Sequence, residues 1–336
     1  MIRKIILFPI AIFYRLIIQF RNFLYKKKIF KINQLPCLVI SVGNITVGGT
    51  GKTPTVIYLS NFLKKKGYKT AIISRGYKRT TKGTVLVSDG IKIFKKWQET
   101  GDEPYMMAKK LENIPIVVDT NRYRGGKLLV KMFKPDIILM DDGFQHRKLY
   151  RNLDIILING KDDANKHNLL PYGLLREPWD CIVRADIILT TKQKPSADLS
   201  KKIKNTHLPV FNTEIKYSLI LPNSNSADTF LNLKNKRVFL YSGIAEPNSF
   251  KKVVLDMQCI VCGTKFFPDH FPYSKNDIRE IEFLAKMKNA DLIITTEKDW
   301  VKTKEHEPEY DLAIVDLSIK IKEEKKFDQL LQSFSI

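Results

Sequence analysis

Residues 38 to 53 read LVISVGNITVGGTGKT, and the fold follows from them. Leu38 to Val42 is an apolar, β-branched run that suits a buried strand, and the Gly-rich stretch behind it must turn tightly before a helix begins at Pro54. With no Cβ at Gly48, Gly49 and Gly51, the backbone can close around a phosphate with its N–H groups pointing inward. Lys52 can then reach the β- and γ-phosphates of a nucleotide, and the Thr53 hydroxyl can ligate Mg²⁺. Thr46, Val47 and Thr50 fill the other positions of this candidate nucleotide loop. The Walker A pattern asks for Gly where Thr46 stands, so the turn at that end departs from the usual form. A lone Gly-Lys-Thr is a common surface turn, but a phosphate site requires the order strand, Gly-rich loop, Gly-Lys-Thr and amphipathic helix, which this chain has.

Downstream, Thr55 to Lys66 has Val56, Leu59 and Leu63 on one helical face and Gly67 as its stop, and Lys69 to Ser74 is a second strand. Strand, loop, helix and strand make a right-handed βαβ unit of a parallel sheet. Further strands are expected at 85–88, 116–118, 137–140 and 155–158, with helices near 103–112 and 122–133. Ile137 to Asp141 is a hydrophobic strand ending in an acid, the Walker B pattern that holds Mg²⁺ through its water shell, although a strand-end Asp turn reads the same way in isolation. Leu221-Pro-Asn-Ser-Asn-Ser-Ala-Asp is a polar, turn-rich break, and α/β character resumes after it with strands near 238–242, 260–262, 292–295 and 313–315. The expected architecture is therefore α/β: a helix at 1–28, a P-loop domain with a parallel sheet flanked by helices at 36–210, and a smaller α/β domain at 228–336.

The first 28 residues, MIRKIILFPIAIFYRLIIQFRNFLYKKK, are the most apolar part of the chain. Arg15, Gln19, Asn22 and Lys26 recur at helical spacing as one polar stripe. The uninterrupted apolar run before Arg15, Ile5 to Tyr14, is shorter than the ~20 residues a bilayer needs. An interfacial amphipathic helix fits, with Arg21 and Lys26 to Lys28 at anionic headgroups. A helix packed on the protein's own core is the alternative.

The chain has 336 residues, 57 Lys+Arg against 35 Asp+Glu, and a net charge of +22. Length and 44% hydrophobic content suit two globular domains, and the charge favours acidic partners: nucleic acid, anionic membrane or a phosphorylated substrate. No aromatic platform or known module accompanies the charge, so no nucleic-acid partner is expected. Cys259 and Cys262 form a Cys-x-x-Cys without a second pair, which suits small buried residues in a reducing cytoplasm.

Gly43 to Thr53, Ser74 to Tyr77, Gly101-Asp-Glu-Pro104, Asp141 to Arg147, Leu169 to Pro178, Asp269-His270 and Thr296 to Asp299 together resemble the tetraacyldisaccharide 4′-kinase family. In that family the Thr46 departure is usual. The resemblance implies transfer of the ATP γ-phosphate to the 4′-hydroxyl of an acylated glucosamine disaccharide 1-phosphate at the cytoplasmic face of the bacterial inner membrane. It implies Asp102 as general base, His270 as its partner from the second domain, and Asp141 and Asp142 as the acidic pair near Mg²⁺. Arg75, Tyr77, Asn121, Arg122, His146, Arg147 and Arg176 lie in matching motifs on the substrate side. The rival class is a membrane-bound P-loop ATPase switch of the partition or cell-division type, but the signature Lys before its Gly pair is Val47 here. A GTPase is disfavoured because Thr191 to Lys194 and Thr296 to Asp299 both miss the guanine-reading pattern.

Overall fold

The strand that leads into the glycine loop, β1 (Leu38–Asn44), lies deep inside a large sheet with β5 (Ile137–Asp141) on one side and β6 (Leu153–Asn159) on the other, both parallel to it. The computed structural model describes residues 2–222, 233–334 and 336. The helices in chain order are α1 (Ile2–Lys26), α2 (Lys52–Lys65), α3 (Trp97–Thr100), α4 (Asp102–Lys110), α5 (Arg122–Phe133), α6 (Ala197–Lys204), α7 (Pro247–Asp256), α8 (Lys275–Met287), α9 (Glu297–Thr303) and α10 (Glu324–Ser333). The remaining strands are β2 (Thr70–Ser74), β3 (Val85–Ser88), β4 (Ile116–Val118), β7 (Ile187–Thr191), β8 (Val210–Ile220), β9 (Arg237–Ser242), β10 (Ile260–Phe266), β11 (Leu292–Thr296) and β12 (Leu312–Ile321).

Among the described residues twelve strands share one sheet in the order β10-β9-β11-β12-β8-β7-β6-β1-β5-β2-β4-β3. Neighbours are parallel except β3 with β4 and β8 with β12. The inner strands β5 and β6 are buried along their whole length, which is why they read as unbroken apolar runs. The chain leaves β1 toward β5, β2 and β4 on one side and returns to β6 and β7 on the other. The carboxyl end of β1 is therefore a topological switch point, where a crevice opens.

β8 was not legible in the sequence. It occupies part of the stretch between Lys201 and Lys236 where only a change of composition shows, and its exposed and half-buried residues alternate. Parallel to β7 and antiparallel to β12, it carries the sheet from one half of the chain into the other. The polar break at 221–228 lies, from Asn223 on, outside the described residues, and so does the expected domain start at 228. After β12 the chain turns back to the first half: Phe327 and Leu331 of α10 pack with Leu59, Leu63 and Phe211, and the Tyr58 hydroxyl donates to Glu324 at 2.5 Å.

α1 docks on the body by one narrow stripe. Ala11, Ile18 and Tyr25 are buried, and the Tyr14 hydroxyl donates to the Arg176 carbonyl at 2.9 Å. Arg21 does not face outward toward headgroups as expected. It pairs at 2.5 Å with the fully buried Glu177 carboxylate, which Arg184 holds from the other side at 2.6 Å, because a buried carboxylate without cations would be far costlier than an exposed one. Away from this stripe Phe13 (65%), Leu16 (57%), Ile17 (50%) and Phe20 (64%) stand exposed. The helix is long and apolar enough, over Leu7–Lys26, to cross a membrane by length and composition. Cys259 is buried and Cys262 half-buried; both are free, and burial pushes both thiols up.

Candidate active site

The glycine loop is built from backbone needs that the sequence states openly. Gly51, in the left-handed region at φ 85°, precedes α2, which begins at Lys52, two residues earlier than Pro54. A Cβ on Gly43 would stand 2.5 Å from that of Phe144, so only Gly lets β1 pass the segment after β5. Thr46 is explained by its pairing. It lies antiparallel to Leu175, the neighbouring Val47 N–H donates to the Leu174 carbonyl at 2.8 Å, and in an extended strand a Cβ costs nothing. Its buried hydroxyl donates to Asp162 at 3.3 Å.

A cleft of about 1030 Å³ opens over this loop. Val47 to Thr53 form its floor, with Arg75, Tyr77, Asp102, Arg122, Asp141, Asp142, His146 and Arg176 around them and Glu246, His270 and Lys298 across from them. Lys52 Nζ donates to Asn44 at 3.3 Å and lies 3.6 Å from Asp142. Over the loop, Lys192 and Glu246 pair at 2.6 Å, within 3.9 Å of where a Cβ on Gly49 would sit.

The two aspartates at the end of β5 have opposite environments. Asp141 is buried, accepts from the Ser74 hydroxyl at 2.9 Å, and its other oxygen, also buried, has no partner among the described residues. Burial first, then the charges of Glu103 and Asp142, push its carboxyl up to about 7. Asp142 also pays for burial, but Lys52, the Arg176 guanidinium at 2.9 and 3.1 Å, and Arg122 hold it below the usual carboxylate range. Buried Arg122 donates to the backbone carbonyl of Asp119 at 3.1 Å, and burial draws it down to about 10. His146 is pushed down to about 4 by burial and then by Arg122 and Arg151, so its imidazole is neutral near pH 7.

The second cluster joins segments 168 residues apart: His270 Nδ1 lies 2.7 Å from the Asp102 carboxylate. Asp102 opens α4 and is buried; burial raises its carboxyl, but the His270 hydrogen bond and the Lys298 charge outweigh that and leave it below the usual range. The Tyr77 ring lies edge-on to the His270 imidazole at 5.3 Å. Lys298, whose motif Thr296 to Asp299 assigns it no role by residue type alone, lies 3.0 Å from Asp269 and 3.2 Å from His270 Nε2.

Two expected substrate residues lie elsewhere. Asn121 is exposed, and its side chain caps α5 by accepting from the Arg124 N–H at 3.2 Å. Arg147 turns to α1, its guanidinium 4.6 Å from the Tyr25 ring centre and donating to Asn22 at 3.0 Å.

A family model described as Tetraacyldisaccharide-1-P 4′-kinase matches residues 3–335. The tetraacyldisaccharide 4′-kinase of Aquifex aeolicus is 38% identical over 327 residues, 97% of each chain. That of Chlorobaculum parvum is 38% identical over 301 residues, 88% of this chain and 82% of its own. A crystal structure of LpxK from Aquifex aeolicus in complex with ATP matches with a TM-score of 0.80 and 35% identity, covering 99% of both chains.

Proposed function

The chain belongs to the tetraacyldisaccharide 4′-kinase family, and from that premise we propose how the residues of the cleft divide the reaction. The enzyme is a tetraacyldisaccharide 4′-kinase of lipid A biosynthesis, transferring the γ-phosphate of ATP to the 4′-hydroxyl of the disaccharide 1-phosphate. The 4′-oxygen forms a bond to the γ-phosphorus, the bond from that phosphorus to its bridging oxygen breaks, ADP leaves, and the hydroxyl proton passes to Asp102. The observation that carries this assignment is the contact between His270 and Asp102, both of which line the glycine-loop cleft.

Val47 to Thr53 hold the phosphates of ATP, with Lys52 released from Asp142 onto the β- and γ-oxygens. Thr53, Asp141 and Asp142 suit Mg²⁺: all offer hard oxygen ligands in one cleft, and the unpartnered buried oxygen of Asp141 is a polar atom awaiting a partner. Mg²⁺ held there would neutralise charge on the transferring phosphoryl group. Arg75, Arg122 and Arg176 supply positive charge for phosphate oxygens, neutral His146 supplies a hydrogen-bonding ring, and Tyr77 packs beside His270. Phosphoryl transfer asks for such positioning and charge more than for covalent help. Asn121 and Arg147 act from behind, holding α5 and α1.

We assign 36–210 to a P-loop kinase domain and 228–336 to a smaller α/β domain that closes over the cleft. The exposed apolar face of α1 is assigned to the cytoplasmic face of the inner membrane, as an interfacial helix: a helix held along Ala11, Tyr14, Ile18, Arg21 and Tyr25 cannot leave the body to span. The anionic lipid surface would meet Lys26, Lys27 and Lys28.

The test is incubation of purified protein with γ-labelled ATP, Mg²⁺ and tetraacyldisaccharide 1-phosphate in detergent. Label entering the lipid phase supports the kinase. Label released only as free phosphate refutes it in favour of an ATPase switch.

A further inference from the structure

α9 works in two directions at once. Its inward residue, Asp299, is fully buried and accepts from the Gly243 N–H at 3.0 Å, the Tyr273 hydroxyl at 3.0 Å and the Thr296 hydroxyl at 2.7 Å. Gly243 in turn accepts from the His270 N–H at 3.1 Å, so Asp299 ties down the loop that carries His270 on both sides. The residue beside it, Lys298, faces the other way, into a cluster made of Asp102 and Glu103 from α4, Asp269 and His270 from the loop after β10, and the Tyr77 ring from the loop after β2. Lys78 reaches the backbone carbonyl of Asp269 from outside.

An ammonium has donors and no acceptor. With Lys298 Nζ at 3.2 Å and the Asp269 carboxylate at 3.6 Å, outside hydrogen-bond reach, His270 Nε2 is the acceptor, and an unprotonated Nε2 leaves the ring proton on Nδ1, where it meets the Asp102 carboxylate at 2.7 Å. The opposite tautomer would set N–H against N–H at one end of the ring and a lone pair against a carboxylate at the other. We propose that Lys298 is a positioning residue of the kinase, fixing His270 as the neutral Nδ1–H tautomer that orients Asp102. The proposal rests on the reading of Asp102 as base. With Nδ1 already protonated, His270 cannot take the substrate proton there, so that proton goes to Asp102. Lys298 is the donor that faces Nε2, so its removal frees the ring to carry its proton on either nitrogen.

The test compares wild type, Lys298→Met and Lys298→Arg as full-length proteins, in steady-state transfer from ATP to the detergent-dispersed lipid across pH, together with nitrogen NMR of ¹⁵N-histidine-labelled enzyme, which has five histidines to assign. Lys298→Met should lower kcat about tenfold or more near neutrality, leave KM for ATP unchanged, and move the midpoint of the acidic limb about one pH unit or more upward, since an opposing charge within a few ångströms shifts a group by that amount. Lys298→Arg should return the limb toward wild type. An unmoved midpoint, with kcat lowered equally at every pH, reduces Lys298 to a structural prop and overturns the proposal. The wild-type spectrum decides even where the variant fails to fold, because an Nε2–H tautomer for His270 refutes it outright. A wild type that labels no lipid defeats the kinase reading instead, and the tautomer still reports on Lys298.

Discussion

Removing His270 and Asp102 singly and together measures whether two segments 168 residues apart act as one group. His270 gives Asp102 a single hydrogen bond to an ionised carboxylate at 2.7 Å, and such a bond contributes about 1.5–3 kcal/mol. At about 1.4 kcal/mol per tenfold in rate, His270→Ala should lower kcat roughly 10- to 100-fold if the bond is felt mainly in the transition state. Asp102→Ala removes the proton acceptor itself, and a positioned general base contributes about 10²- to 10⁴-fold. Because the imidazole acts only through the carboxylate, the double variant should fall no further than Asp102→Ala alone. KM for ATP should hold in all three, since the glycine loop binds its own contacts: Lys52 to Asn44, and Val47 to Leu174. The assay is steady-state transfer of labelled phosphate to the lipid, with near-ultraviolet circular dichroism confirming the fold. Full additivity would mean that the two residues act independently, and an unchanged kcat in His270→Ala would make that side chain a packing residue against Tyr77.

Lys52→Ala should cost on the order of 10³ or more in turnover, because it removes a phosphate-cradling cation, while the urea midpoint stays close to wild type; near-normal turnover would remove the loop from the mechanism. Phe13→Ser combined with Phe20→Ser should weaken binding to anionic vesicles about 100-fold, at about 1.5 kcal/mol or more for each buried aromatic, without changing kcat on detergent-dispersed lipid; unchanged vesicle binding would place the membrane surface elsewhere. His146 is held at about 4 by burial and by Arg122 and Arg151, below its unfolded value, so the folded state binds fewer protons and loses stability as pH falls from about 6.5 toward 4. His146→Gln should remove an acid sensitivity on the order of 2 kcal/mol between neutrality and pH ~4.5 in urea titrations, and identical acid dependence in both proteins would refute the burial argument.

The local code was legible where chain neighbours settle the structure. β1, the glycine loop and α2 follow from consecutive residues, since a buried parallel strand is an apolar run and a tight phosphate turn needs Gly. The helices α4 and α5 fall within about two residues of their expected bounds, and Asp141 ends its strand as its pattern requires. β8 escaped because VFNTEIKYSLI is half polar and its partner β12 lies about a hundred residues downstream, so neither strand signals the pairing. Arg21 was misassigned for the same reason. On a helical wheel it is one more basic residue, and only the buried Glu177, 156 residues away, decides that it faces inward. Asn121 carries the chemistry of a ligand contact and of a helix cap alike, and the start of α5 selects the cap. The site as a whole divides along this line. Its residue types were visible in short motifs, whereas its protonation states depend on burial and on charges brought from α4, α9 and the loop after β10, because desolvation and Coulomb forces act through space and not along the chain.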